Sequence, residues 1–169
     1  DPDRLEADIR SQIAANNVAT DRMRTLMEEY GEATVAGVGA DLIDQSARSF
    51  RRRLRELPDG TWEARQYLRS APEDRTYTIK LALHKQGDSL VFDFTGTDEQ
   101  SDVGLNCTAI GTRGGVLAPL LPLVCHDMTW NDGIVERITI DAPEGSLVNA
   151  ERPAPVSIAT VATLQICNS

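Results

Sequence analysis

Four polar side chains of this sequence are placed where chemistry could be done: Asp93, Asn106, Asn131 and Arg137, each at the end of a strand pattern or in a polar loop. Asp93 stands in the run Leu90-Val91-Phe92-Asp93-Phe94-Thr95-Gly96. Alternation puts Phe92 and Phe94 on one face and Asp93, with Val91 and Thr95, on the other, so a carboxylate reaches the strand's end just before a glycine lets the backbone turn. There it could orient or deprotonate a substrate, or it could cap the turn through backbone amides. Asn106 and Asn131 each carry an amide that can hold either a carbonyl group or a turn. Arg137 is the fourth candidate.

Other groups that draw the eye have simpler explanations. His84 falls on the face opposite Ile79 and Leu81, beside Lys85 and a turn, which is the place of an exposed strand-end histidine. His126-Asp127 has no second histidine or carboxylate at ligand spacing nearby, so a polar loop is expected there and no metal site. Gly114-Gly115 leads into no Gly-Lys-Ser/Thr and follows no strand in the right register, so it is not a phosphate loop, and the chain shows no nucleotide motif of its own. Arg48, Arg51, Arg52, Arg53 and Arg55 spread around most of a helix, as a solvated basic surface or one paired with the acidic remainder of the molecule would.

The elements that position these residues follow from periodicity. Leu5, Ile9 and Ile13, then Met23, Leu26, Met27 and Tyr30, recur at three and four, predicting one long helix or two joined at Asn17, stopped by Gly31. A second helix has Val35, Val38, Leu42, Ile43, Phe50, Leu54 and Leu57 on its buried side and ends at Pro58. The two make an antiparallel hairpin over residues 1–57. Trp62, Ala64 and Leu68 alternate loosely, and Tyr77, Ile79, Leu81 and Leu83 alternate strictly. Gln86-Gly87-Asp88 then turns the chain into the strand of Asp93, so residues 58–106 read as a β-meander and loop. Residues 107–169 are mixed: a short or broken helix around Gly114, Gly115, Pro119 and Pro122, a strand from Ile134, Ile138 and Ile140, and a helix start with Val161 and Leu164 inward. The fold class is α+β, an N-terminal helical hairpin packed on a mainly antiparallel sheet.

At 169 residues and 41% hydrophobic, the chain is enough for one globular unit with a core. A net charge of −9 without any acidic or basic block argues against nucleic acid as a partner. No run of 18 apolar residues offers to span a membrane. Cys107, Cys125 and Cys167 are odd in number and far apart, which suits packed thiols in a reducing cytoplasm. The chain starts without Met and stops abruptly at Ser169, as a piece of a longer subunit would.

Taken together, Leu57-Pro58-Asp59-Gly60-Thr61, Val91 to Thr97, Asn106, Asn131-Asp132-Gly133, Ala142 to Asn149, Pro153 and Pro155 resemble the hydantoinase B/oxoprolinase family in order and spacing over nearly the whole chain. The resemblance implies a central fragment of a much longer subunit. Members open cyclic amides such as hydantoins and 5-oxoproline with ATP, or carboxylate ketones with ATP and bicarbonate. A hydantoinase A-type subunit or domain handles the nucleotide. A phosphorylated intermediate makes chemical sense, because an amide or enolate oxygen is a poor leaving group until phosphorylation changes it. ATP and a divalent metal are therefore expected in the complete enzyme, supplied by the partner or by regions outside this chain, with no cofactor bound by the chain itself. An oligomeric parent protein is also expected. Where many members have Gly-Asn and then a Thr-Ser-Gln type helix start, this chain has residues 157–165, SIATVATLQ, a departure that points some way toward the carboxylase branch or a non-catalytic scaffold.

Overall fold

The computed structural model describes residues 2–169. Two units are distinguishable, the first running through Asp44 and the second spanning Gln45–Ser169. Helix α1 is a single element, Pro2–Tyr30, with Asn16 and Asn17 in its interior. It stops at Gly31, whose φ of +84° only glycine adopts freely and whose N–H reaches the Met27 carbonyl at 2.8 Å. Helix α2 is Glu32–Glu56 and crosses from the first unit into the second.

Burial departs from the sequence reading in these helices. No residue of α1 is buried, and Leu5, Ile9, Ile13, Met23, Leu26, Met27 and Tyr30 are all exposed, as are Val38, Leu42, Ile43 and Leu57. A three-four repeat says which side chains share a stripe and is silent on what covers it. Burial in α2 begins at Ser46 and Ala47 and is complete at Phe50 and Leu54.

The second unit holds a four-stranded sheet in the order β1 (Gly60–Ser70), β2 (Arg75–Gln86), β3 (Ser89–Asp93) and β4 (Ile138–Asp141). The first three form the antiparallel meander, and β4 adds parallel to β3, with Leu90 opposite Ile138 and Asp93 opposite Asp141. One face carries Leu68, Tyr77, Ile79, Leu81, Leu90 and Phe92 into a common core with Phe50 and Leu54 of α2. The other face carries Glu63, Arg65, Lys80, His84 and Asp93, by the two-residue alternation of the register.

Helix α3 (Ala109–Val124) is continuous across both glycines and both prolines, where a broken helix was the expectation. Thr108 starts it, its hydroxyl accepting from the Gly111 N–H at 3.2 Å. Pro119 has no N–H to give the Gly115 carbonyl, and the Cys167 thiol donates to that oxygen instead, at 3.2 Å. Gly115 is also where α5 (Ala159–Cys167) approaches: a Cβ there would lie 2.9 Å from the Ile166 side chain. Tertiary packing thus compensates both helix-breaking residue types. Ile134 belongs to the short helix α4 (Asp132–Val135) rather than to a strand. In α5 the inward residues are Ala162 and Ile166, while Leu164 is exposed and Val161 only partly buried. The three thiols are free.

Candidate functional site

Because β3 and β4 run parallel, their carboxyl ends open on the same edge of the sheet. The loops leaving them, roughly 94–107 and 142–158, interlock there. Phe94 N–H donates to Asp141 O at 2.8 Å, Leu147 N–H to Asp98 O at 3.0 Å, Gln100 N–H to Gly145 O at 2.8 Å and Cys107 N–H to Leu147 O at 2.8 Å. Ile158 N–H closes the knot on Gly104 O at 2.8 Å, and a Cβ on Gly104 would collide with the Ser157 hydroxyl at 2.1 Å.

Asn106 is the fully buried centre of this knot. Its Oδ1 accepts from Ser101 N–H at 2.7 Å, and its Nδ2 donates to Ser101 O and Pro155 O, both at 2.8 Å, and to Val103 O at 3.3 Å. The carbonyls it holds belong to its own chain. Beside it lies a cluster missed in the sequence. The Glu73 carboxylate accepts from the Tyr77 and Ser101 hydroxyls, each at 2.8 Å, and from Asp102 N–H at 3.2 Å. Its pKa is lowered to about 2, first by the neighbouring Ser70 hydroxyl, then by those of Tyr77 and Ser101. The Tyr77 and Ser101 hydroxyls make the close hydrogen bonds to the carboxylate, whereas the buried Ser70 Oγ makes none of ordinary geometry. Glu73 sits in the β1–β2 turn, 28 residues from Ser101 in sequence, so no local pattern announces the pair.

Asp93 points to the polar face, as alternation requires. Its Oδ1 accepts from Thr95 N–H at 2.8 Å, an Asx turn leading into Gly96, whose φ is +85°. The Thr95 hydroxyl and then the Thr95 amide hold its pKa below the ordinary carboxylate value, with a smaller contribution from His84. His84 itself shares a 2.9 Å hydrogen bond with Thr61. A carboxylate so stabilised stays ionised at neutral pH. It is thus better suited to orienting an amide N–H or a cation than to taking up a proton.

The other two candidates lie elsewhere. Asn131 is the N-cap of α4, with Oδ1 accepting from Gly133 N–H and Nδ2 donating to the Ser46 hydroxyl, both at 3.0 Å. Arg137 precedes β4 at the end away from Asp93. Its carbonyl accepts from Leu90 N–H, and its guanidinium is 3.8 Å from Asp88, which also pairs with Arg55 at 2.9 Å. Four strand residues separate it from the level of Asp93, about 13 Å along the sheet. The four candidates do not meet in one site, and Asp93 alone stands on the open face at the carboxyl edge.

A cleft of about 510 Å³ runs between α3 and β4, with Ile110, Arg113, Glu136, Ile138, Ile140 and Asn149 on its walls. Two of the arginines of α2 are paired with the acidic remainder of the molecule: Arg53 grips Asp127 at 2.9 and 3.2 Å and Arg55 holds Asp88 at 2.9 Å. Lys85, nearly buried, donates to Leu57 O and to Asp59 Oδ1, both at 2.6 Å, and so fixes the Leu57-Pro58-Asp59-Gly60 turn. Among the described residues no three or more His, Cys, Asp or Glu side chains converge as metal ligands would. Nor does any glycine loop lead into Lys-Ser/Thr.

The chain is an α+β unit, two long helices followed by a four-stranded sheet with three further helices. The crystal structure of the ATP-dependent caprolactamase from Pseudomonas jessenii superposes with a TM-score of 0.87 at 25% identity, over 96% of this chain and 28% of that one. The nucleotide-free acetone carboxylase shares the fold at a TM-score of 0.71 and 14% identity, over 79% of this chain and 19% of that one. The chain belongs to the hydantoinase B/oxoprolinase family, whose model matches residues 1–168. An uncharacterized protein of Methanocaldococcus jannaschii is 31% identical over 158 residues, 94% of this chain. The chain spans 28% of that relative's length. No helix among the described residues is long and apolar enough to cross a membrane.

Proposed function

We propose that this chain is the central part of a hydantoinase B-type subunit of a cytoplasmic, ATP-dependent hydrolase that opens cyclic amides such as hydantoins or 5-oxoproline. The observation that carries this reading is the family match over residues 1–168, together with the close structural likeness to a caprolactamase, a cyclic-amide hydrolase by name. In the complete enzyme a hydantoinase A-type subunit or domain would hold ATP and a divalent metal, within an oligomer. Those groups supply the activation. This chain's own contribution is a wall of the site at the carboxyl edge of β3 and β4, where the ionised Asp93 orients the substrate's N–H. The knot centred on Asn106 holds that edge in place. Asn131 and Arg137 act at a distance, by fixing α4 and the start of β4.

A second reading, a ketone carboxylase subunit, is favoured by the fold shared with acetone carboxylase and by the SIATVATLQ departure at residues 157–165. One experiment separates the two: the complete subunit, co-expressed with its A-type partner, is assayed for ATP-dependent opening of hydantoin, 5-oxoproline and caprolactam, and for ATP- and bicarbonate-dependent consumption of acetone. Ring opening supports the first reading, and bicarbonate-dependent carboxylation alone replaces it with the second. Neither activity, in a folded complex that binds ATP, leaves the scaffold reading.

A further inference from the structure

The outer strand of the sheet has one side unpaired. β1 is 11 residues long and pairs with β2 alone, so every second residue turns its N–H and C=O away from the sheet, a row that templates another strand. Along it Trp62 is 48% exposed and Tyr67 63% exposed. Its charges are also unbalanced within the chain. Arg65 lies directly opposite Lys80 and Glu63 opposite Ala82, so Arg65 faces a like charge. Among the described residues neither Glu63 nor Arg65 has an ion-pair partner.

We propose that β1 is the contact between two copies of this chain, paired antiparallel about a two-fold axis at Ala64. In that register Glu63 faces Arg65 of the second copy and Arg65 faces its Glu63. Thr61 meets its Tyr67. Glu63 and Arg65 thus each meet the opposite sign, and the repulsion between Arg65 and Lys80 is relieved from the outer side. Neighbouring registers are excluded. A shift that centres the axis on Glu63 or on Arg65 puts like charges face to face, and a slip that pairs odd with even residues sets the polar face of one sheet against the core face of the other. The result is one continuous sheet through both copies, joining the two four-stranded sheets edge to edge.

The test is sedimentation of the 169-residue chain, and of the complete subunit, with Glu63→Arg and with the charge swap Glu63→Arg/Arg65→Glu. Symmetry counts each substitution twice, so Glu63→Arg weakens association by roughly tenfold or more, and the swap restores it. In a Cys167→Ser background, Ala64→Cys joins the two copies under mild oxidation through a 64–64 disulfide identified by peptide mass, since residues facing each other across antiparallel strands lie within disulfide reach. A monomeric chain overturns the proposal. So does association indifferent to Glu63→Arg or not rescued by the swap, and so does an Ala64→Cys variant whose new thiol stays reduced in the complete subunit because another segment covers β1.

Discussion

Replacing Asn106 tests whether the knot at the carboxyl edge is what holds the candidate site. Asn106→Ala strands three groups that now have partners at 2.7–2.8 Å: the Ser101 N–H, the Ser101 carbonyl and the Pro155 carbonyl. Each buried polar group left unsatisfied costs about 1–3 kcal/mol, so even with partial rehydration the loss is about 3–5 kcal/mol. That is a large share of the ~5–15 kcal/mol by which a domain is folded. Asn106→Asp keeps the acceptor for Ser101 N–H but turns a carboxylate toward two carbonyl oxygens. Burial and those oxygens raise its folded pKa above the ordinary aspartate value of about 3.9. The sign follows from linkage. A raised folded pKa gives stability that is present below the unfolded value and lost as pH rises, so the gap between this variant and the parent widens from about pH 4 to pH 7. Urea unfolding followed by circular dichroism at both pH values reads this directly. At about 2 kcal/mol per molar, the Ala variant's midpoint falls by roughly 2 M. Both variants remaining within about 0.5 kcal/mol of the parent, or an Asp variant insensitive to pH, would refute the structural account of Asn106.

Asp93→Asn keeps an acceptor for Thr95 N–H, so the chain should lose no more than about 1 kcal/mol; if Asp93 orients substrate, turnover of the complete enzyme falls by roughly two orders of magnitude with Tm almost unchanged. A stability loss matching the activity loss would leave it a structural acid. Glu73 has a folded pKa of about 2 against an ordinary 4.5, so its stabilisation is present above the higher value and disappears as pH falls through the lower. Acid titration of the Glu73→Gln variant should show a shallower loss of stability across that window than the parent, and identical acid limbs would contradict it. For the Lys85–Asp59 pair, Asp59→Ala strips the nearly buried ammonium of its counter-ion, whereas Lys85→Met removes the charge itself and leaves only an exposed carboxylate to rehydrate. Thermal melts should therefore rank Asp59→Ala below Lys85→Met, and the reverse order would show that the turn does not depend on the ion pair.

Much of this molecule is determined within short windows of sequence. Alternation at Leu90, Phe92 and Phe94 fixes both the strand and the side on which Asp93 emerges, because strand geometry offers only two faces. Gly31 ends α1, and the meander's turns fall where glycine and proline demand them. The family's motifs are legible for the same reason, since they sit in turns where few residue types fit. What lies beyond a window was decided only by tertiary contact. The apolar stripe of α1 gives no sign of its exposure. The continuity of α3 through Gly115 and Pro119 depends on Ile166 and on Cys167, which is 52 residues from Gly115 along the chain. Asn106 is buried by Ser101 on one side and by Pro155 on the other, which turns a candidate for holding a substrate carbonyl into the clasp of two loops. Glu73 carried no signal at all until the chain brought Tyr77 and Ser101 around it. Hydrogen-bond partners of buried polar groups are set by the packing of distant segments, and a sequence read along its length has no coordinate for that distance.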